Sequence, residues 1–169
     1  DVIGFAYIDG HVRPYNGRKH KLPKTHVARR RLCMPATTDF WINDAKCEPL
    51  FFVTASANDS LLSMLDKEVI PELKKLAGKG NRVTLVFDRE GWSPKSFEKW
   101  FKADIDVITY RKGKYDPWPE DCFIEGESHV RGKSVKYLLG ERSIKINKKF
   151  WLREVRRLCE NGHQTSVIT

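Results

Sequence analysis

The sequence predicts an α/β fold with a mixed sheet, flanking helices and a β-rich stretch towards the C-terminal part. Two β-prone runs, residues 2–8 and 83–87, each end at an aspartate. Between them lies a stripe of leucines and a valine at steps of three and four residues, which is typical of an amphipathic helix. After residue 112, prolines and glycines separate short β-prone pieces, which favours strands and turns.

Antiparallel strands are expected in the first third of the chain. Residues 2–8 form the first strand, and the proline and glycine within residues 14–17 predict a hairpin turn or an exposed loop. Residues 28–33 and 38–43 are predicted as two further strands joined through 34–36. Pro49 precedes another apolar strand at 50–54.

The first helix begins near residues 58–60, which are all good N-cap types. Pro71 is expected to kink or divide this helix, and Gly78 and Gly80 end it. Its predicted core stripe consists of Leu61, Leu65, Val69, Leu73 and Leu76.

A parallel strand, a second helix and one more strand complete the predicted core at residues 1–111. The strand at 83–87 leads to Asp88, and the strand at 106–110 follows the helix. Ser93 is the predicted cap of the second helix and Pro94 its first residue. Its buried face is expected to hold Phe97, Trp100 and Phe101.

Residues 112–169 predict a β-rich insertion that continues the domain formed by residues 1–111. Short strands are expected at 122–124, 134–139, 143–146, 151–158 and 164–169. Gly140 is interpreted as one of the breaks between them. Trp118 lies in a proline-flanked loop, and its side chain either packs against the protein or contacts DNA.

Charge, hydrophobicity and cysteine spacing limit the classes of function that this chain can have. The formal net charge of +9 favours anionic partners such as nucleic acid, although a merely basic soluble domain has the same balance. No apolar run approaches the roughly 18–20 residues needed to span a bilayer, and no signal peptide opens the chain. The four cysteines lack metal-binding spacing and are expected to be reduced thiols of a cytoplasmic protein. Because both ends fall within strand-like patterns, we expect an internal piece of a longer protein.

The predicted order of elements matches the ribonuclease H-like fold. In that topology the first strand lies beside the strand that precedes Asp88, so Asp9 and Asp88 are expected to meet at one edge of the sheet. Two carboxylates held close together repel unless a cation lies between them, and Mg²⁺ or Mn²⁺ prefers such oxygen ligands. Taken singly, each aspartate has the ordinary alternative of a turn residue.

A basic stretch follows Asp9 and contains no acid before Asp39. We expect it to contact DNA phosphates, and the alternative is a solvated hairpin with a charged edge. For His11 two interpretations remain: it contacts the scissile phosphate or a metal ion, or it is a loop histidine without such a role. The candidate DNA-binding residues are Arg13, Arg18, Lys19, Lys21, Lys24, Arg29, Arg30 and Arg31.

Four segments resemble the catalytic core of bacterial insertion-sequence transposases of the DDE type: residues 7–15, 22–26, 86–94 and 162–166. The resemblance implies that Asp9 and Asp88 are catalytic and hold divalent ions (Mg²⁺ or Mn²⁺) for cleavage and strand transfer. It also implies DNA partners, namely transposon ends and target, and a homodimer of the full-length protein in the cytoplasm at the nucleoid.

The same resemblance places a third acid, a glutamate on a late helix, beyond Thr169. Within the chain the candidates for this role are Glu90, Glu125, Glu127 and Glu154, of which Glu154 is expected to be an ion-paired surface residue. Two alternative functions remain: a ribonuclease H-like nuclease, or an inactive DNA-binding module derived from a transposase.

Overall fold

A computed structural model describes residues 4–146 and 150–169 and confirms the mixed α/β class. Its strands are β1 (Phe5–Pro14), β2 (Lys24–Val27), β3 (Leu32–Asn43), β4 (Pro49–Ser56), β5 (Val83–Phe87), β6 (Ile105–Tyr110), β7 (Ile124–Val130), β8 (Lys133–Lys145), β9 (Trp151–Leu158) and β10 (Gln164–Ile168). Its α-helices are α1 (Leu61–Met64), α2 (Ile70–Ala77) and α3 (Pro94–Phe101). None of the described helices is long and apolar enough to span a membrane.

The strands form one sheet in the order β2-β3-β1-β5-β6-β10-β9-β8-β7, with β4 also paired to β3. The pairs β1–β3 and β3–β4 are antiparallel, whereas β1–β5 and β5–β6 are parallel. An antiparallel meander of β7, β8, β9 and β10 joins this core where β10 pairs with β6. The β-rich C-terminal stretch therefore extends the same sheet.

The first strands differ from the prediction. β1 runs on to Pro14 because residues 7–14 all pair with β3, while residues 2 and 3 of the predicted strand lie outside the described residues. The predicted strand at 28–33 was wrong, since residues 28–31 form the turn between β2 and β3. Pro35 does not break β3, because its carbonyl still accepts a hydrogen bond from the Tyr15 amide at 2.8 Å.

The first helical segment packs its predicted stripe into the core, with one exception. Pro71 lacks the N–H that would continue an α-helical ladder, and a π-helical turn, Leu65–Val69, lies just before α2. The division at Pro71 is thus confirmed. The wider π turn rotates α2 so that Ala77 is buried, while Leu76 is 54% exposed, so that part of the prediction was wrong.

The second predicted helix, α3, begins as expected. Ser93 accepts a hydrogen bond from the Ser96 amide, and Pro94 is its first residue. Phe97 and Trp100 are buried in the core. Phe101 is half exposed instead, because it lies at the last residue of α3, at the margin of the core, where its ring meets Phe150 with ring centres 5.8 Å apart.

Gly140 does not interrupt the sheet, and the two strands predicted around it are one strand, β8. A Cβ at Gly140 would lie 2.6 Å from the Cys122 carbonyl oxygen and 3.3 Å from the Trp118 ring. The glycine is therefore needed for close packing inside a strand. Trp118 is buried, which agrees with the packing interpretation, and all four cysteines are free thiols.

Candidate active site

Asp9 and Asp88 each follow the last aligned pair of the β1–β5 ladder. Tyr7 lies opposite Val86 in this parallel pair, and each aspartate follows two residues later in its own chain segment. Asp88 keeps an extended backbone, with φ −78° and ψ 175°, so side-chain alternation continues past the end of β5. This alternation places the side chain of each aspartate on the face of the sheet that carries Tyr7 and Val86.

Asp9 is not at a strand end, as the sequence predicted, but inside β1. Its partner across the β1–β3 ladder is Trp41. Because residues alternate between the two faces of a strand, His11 and Arg13 share the face of Asp9. The Asp9 side chain is exposed and lies on the face opposite the buried Ala6 and Ile8.

Asp88 is held by contacts on both its side chain and its backbone. Its Oδ1 accepts a hydrogen bond from the Glu90 amide at 2.7 Å and so caps the short 3₁₀ turn Arg89–Gly91. Its carbonyl oxygen accepts a hydrogen bond from the buried Thr109 hydroxyl at 2.9 Å. These two contacts fix the direction in which the chain leaves β5, while the Asp88 residue as a whole remains exposed.

The predicted basic stretch extends beyond Asp9 along β1 and the β2–β3 hairpin. Arg13 is committed to an ion pair with Asp39 at 3.2 Å, and the buried Asp39 also accepts a hydrogen bond from the Thr54 hydroxyl at 2.7 Å. The other seven basic side chains are exposed and take part in no ion pair within residues 4–146 and 150–169. They lie in the loop after β1, at the start of β2 and in the turn at 28–31: Arg18, Lys19, Lys21, Lys24, Arg29, Arg30 and Arg31.

Glu154 is ion-paired, as predicted, but it is fully buried instead of lying on the surface. Its Oε1 accepts hydrogen bonds from the Ser166 hydroxyl at 2.5 Å and from Arg156 Nε at 2.9 Å. Its Oε2 accepts a hydrogen bond from Arg111 Nη1 at 2.8 Å. Both oxygens are thus occupied, so Glu154 is unavailable as a metal ligand.

The environment of Glu154 predicts an acid-sensitive stability. Burial acts to raise the pKa of Glu154, but hydrogen bonds from Ser166, Arg156 and Arg111, together with the Arg111 charge, offset burial and lower the pKa below its ordinary value. A carboxyl whose folded pKa is depressed stabilises the protein above its unfolded pKa, and this contribution is lost as pH falls through the folded pKa.

We therefore expect the stability difference between the wild type and Glu154→Gln to be full at pH 7 and to shrink below the ordinary glutamate pKa of about 4.3. Urea unfolding of both proteins at a series of pH values between 7 and 3 measures it. A difference that stays constant across this range would contradict the expectation.

A third acid beside Asp9 and Asp88 is not found in the described parts of the chain. Among the residues that the structure describes, no group of three histidine, cysteine, aspartate or glutamate side chains is arranged to hold a metal ion. Glu125 pairs with Lys136 at 2.7 Å, and the carboxylate of Glu127 accepts a hydrogen bond from the Ser134 hydroxyl.

One feature of the site was not predicted, a cleft of about 630 Å³ beside Asp88. Arg89, Arg111 and His163 line it from three segments that are distant in the sequence. No sequence spacing signals it, because only the pairing of β5 with β6 and of β6 with β10 brings these segments together.

Comparisons with known proteins agree with this architecture. The fold is similar to part of a piggyBac transposase, solved by cryo-electron microscopy as a synaptic complex with hairpin DNA, with a TM-score of 0.59 at 10% identity. The match covers 99% of this chain and 33% of that one, so the chain spans about a third of that protein's length. A search of curated protein sequences gives no significant match. A family model described as "Transposase protein" matches residues 1–169, and the chain belongs to this transposase family.

Proposed function

We propose that the chain is the catalytic core of a DDE-type DNA transposase with a ribonuclease H-like fold. The observation that carries the proposal is that Asp9 and Asp88 each follow, by two residues, the aligned pair Tyr7–Val86 of the parallel β1–β5 ladder. Family membership supports it. The order β4-β3-β1-β5-β6, with antiparallel pairs before parallel ones, is what a ribonuclease H-like core requires. The insertion-sequence assignment rests on the sequence blocks around the two acids.

The donor set fits a small, hard divalent cation. Asp9 and Asp88 offer carboxylate oxygens, both side chains are exposed, and neither takes part in an ion pair within the described parts of the chain. Only Asp88 Oδ1 is engaged, by the Glu90 amide. Mg²⁺ and Mn²⁺ bind through one or two carboxylates and keep open positions for water and phosphate. Divalent ions at this site would activate a water or a DNA 3′-hydroxyl and stabilise the leaving oxygen of an in-line displacement.

The remaining residues of the site would bind and orient the substrate. His11 shares the face of Asp9, two residues further along β1, and its imidazole would contact the scissile phosphate or a metal ion. The basic side chains of the β2–β3 hairpin would hold phosphates of DNA, and the similar piggyBac transposase was itself solved in a complex with hairpin DNA. The family resemblance would assign the third carboxylate to a part of the protein outside residues 1–169, and the full-length protein would act as a homodimer.

Mn²⁺ binding tests the metal site directly. We expect the wild-type chain to bind Mn²⁺, followed by electron paramagnetic resonance of the free ion. Asp9→Asn and Asp88→Asn should each weaken binding by roughly 100-fold or more, since even partners outside the first coordination sphere contribute 10–100-fold. The control Glu68→Gln removes an exposed carboxylate from the π turn and should leave binding unchanged.

Equal Mn²⁺ binding by wild type, Asp9→Asn and Asp88→Asn would contradict the proposed metal site and favour an inactive DNA-binding module. If the metal site holds, the full-length protein separates the two enzymatic functions. Joining of a donor DNA end to a target supports a transposase, whereas hydrolysis without joining supports a nuclease.

A further inference from the structure

The cleft beside Asp88 has three walls. The end of β5 contributes Asp88 and Arg89, the end of β6 leads into Lys112, and β10 with the turn before it contributes His163 and Thr165. Its volume of about 630 Å³ falls in the range of pockets that enclose a ligand of several hundred daltons. It is therefore large enough for a short stretch of one nucleic-acid strand.

The charge of the cleft favours an anion. Arg111 also lines it and pairs with Glu154, a carboxylate that it shares with Arg156. Arg89 and Lys112 are exposed, and the described residues contain no ion-pair partner for either. Two uncompensated cations therefore face one carboxylate, that of Asp88. The imidazole of His163 and the hydroxyl of Thr165 add neutral hydrogen-bonding groups.

The wall that carries Lys112 is held by a buried network. The Tyr115 hydroxyl donates to the Gln164 carbonyl at 3.1 Å. The Gln164 side chain bonds both the amide and the carbonyl of Trp118, at 2.9 and 2.7 Å. The Arg156 guanidinium lies between the Tyr115 and Trp118 rings, 4.4 and 4.2 Å from their centres. The loop after β6 is thus anchored to β9 and β10, which makes the cleft preformed.

Tyr110 gives the cleft an aromatic surface, since it lines the cavity and the residue is 49% exposed. Sites for single-stranded nucleic acid combine cations for the phosphates with aromatic rings on which bases stack. The cleft has both components beside a carboxylate that is proposed to be catalytic.

We propose that this cleft binds the strand of DNA that continues from the reacting phosphate, with Arg89 and Lys112 contacting its phosphates. The inference rests on the proposed function for the identity of the strand and adds a binding site for it on the side of Asp88 that faces β6 and β10. The basic β2–β3 hairpin, on the other side of β1, would then hold a different part of the DNA.

A salt titration tests the cleft. Binding of a fluorescein-labelled single-stranded oligonucleotide is followed by anisotropy in EDTA, between 50 and 500 mM KCl, for the chain and for Arg89→Gln/Lys112→Gln. The control Lys67→Gln/Lys95→Gln removes the same charge from two exposed lysines of the helical segments. Circular dichroism and thermal unfolding check that both doubly substituted chains are folded.

Each lost phosphate contact should reduce the slope of log K against log salt by about 0.7. We therefore expect the Arg89→Gln/Lys112→Gln slope to fall by about 1.4, with affinity about 25-fold weaker at 0.1 M salt. The control should keep the wild-type slope. An unchanged slope for the cleft variant, or an equal loss in the control, would overturn the inference. Because EDTA removes divalent ions, this result is independent of Mn²⁺ binding by Asp9 and Asp88.

Discussion

Replacing Glu154 with Gln is expected to lower the free energy of unfolding by about 3–5 kcal/mol, because it leaves a buried arginine without its counter-charge. Arg156 is 3% exposed at its side chain and has Glu154 as its only acidic partner within the described residues. Arg111, the second partner of Glu154, is 27% exposed and is partly solvated. The loss is therefore concentrated at Arg156 and should spread to the loop that Arg156 and Gln164 hold.

Urea unfolding at pH 7 measures this effect, and the sheet itself offers a matched control. Glu141 on β8 pairs with Arg153 on β9 at 2.6 Å, but this pair is about 60% exposed on both sides. Exposed pairs contribute about 0–1 kcal/mol, so Glu141→Gln should have little effect. Similar unfolding free energies for Glu154→Gln and Glu141→Gln would show that burial does not decide the strength of these pairs here.

Trp100→Ala is expected to cost about 3–5 kcal/mol, the range for truncating a large buried aromatic residue. The Trp100 ring meets Phe87 at 6.2 Å, nearly perpendicular, and Phe97 at 5.9 Å. Since Phe87 immediately precedes Asp88, the loss of this packing should also loosen the end of β5. The indole N–H donates to Asp66 Oδ1 at 2.6 Å, and its removal would leave that carboxylate with only the partner Lys99 in this cluster.

Two further substitutions separate the contributions to this effect. Trp100→Phe keeps an aromatic ring but removes the hydrogen bond to Asp66, and should cost about 1–2 kcal/mol. Phe101→Ala removes the half-exposed neighbour and should cost about 1 kcal/mol. Thermal or urea unfolding of the three proteins gives the comparison. If Phe101→Ala were as destabilising as Trp100→Ala, the assignment of Trp100 to the core and Phe101 to its margin would be wrong.

Local patterns were sufficient for much of the helical architecture. Ser60 and Ser93 are N-caps, Gly78 ends α2, and Pro71 divides the first helical segment, as their side-chain chemistry predicts. Each of these assignments depends on contacts within a few residues. Predictions that depended on helix phase over a longer distance were less accurate: the π turn moved Leu76 to the surface, and the last turn of α3 left Phe101 half exposed.

Strand limits could not be predicted as well, because a partner strand determines them. β1 continues through Asp9 since β3 offers a ladder as far as Ala36, and β8 continues through Gly140 since β9 pairs with it at Arg156. Similarly, nothing local distinguishes a buried Glu154 from an exposed one. Its burial follows from the packing of the loop at 115–118 over β9 and β10.

The sequence by itself determined the α/β class, the basic charge and the choice of Asp9 and Asp88, since composition, periodicity and the resemblance of short segments depend only on neighbouring residues. Only the tertiary structure decided that each of these acids follows, by two residues, an aligned pair of one parallel ladder. It also decided that Glu154 is fully engaged by Arg111, Arg156 and Ser166, and that a basic cleft opens beside Asp88. The reason is physical: register, burial and cavity shape arise from pairing between segments far apart in the chain, and no local pattern encodes that pairing.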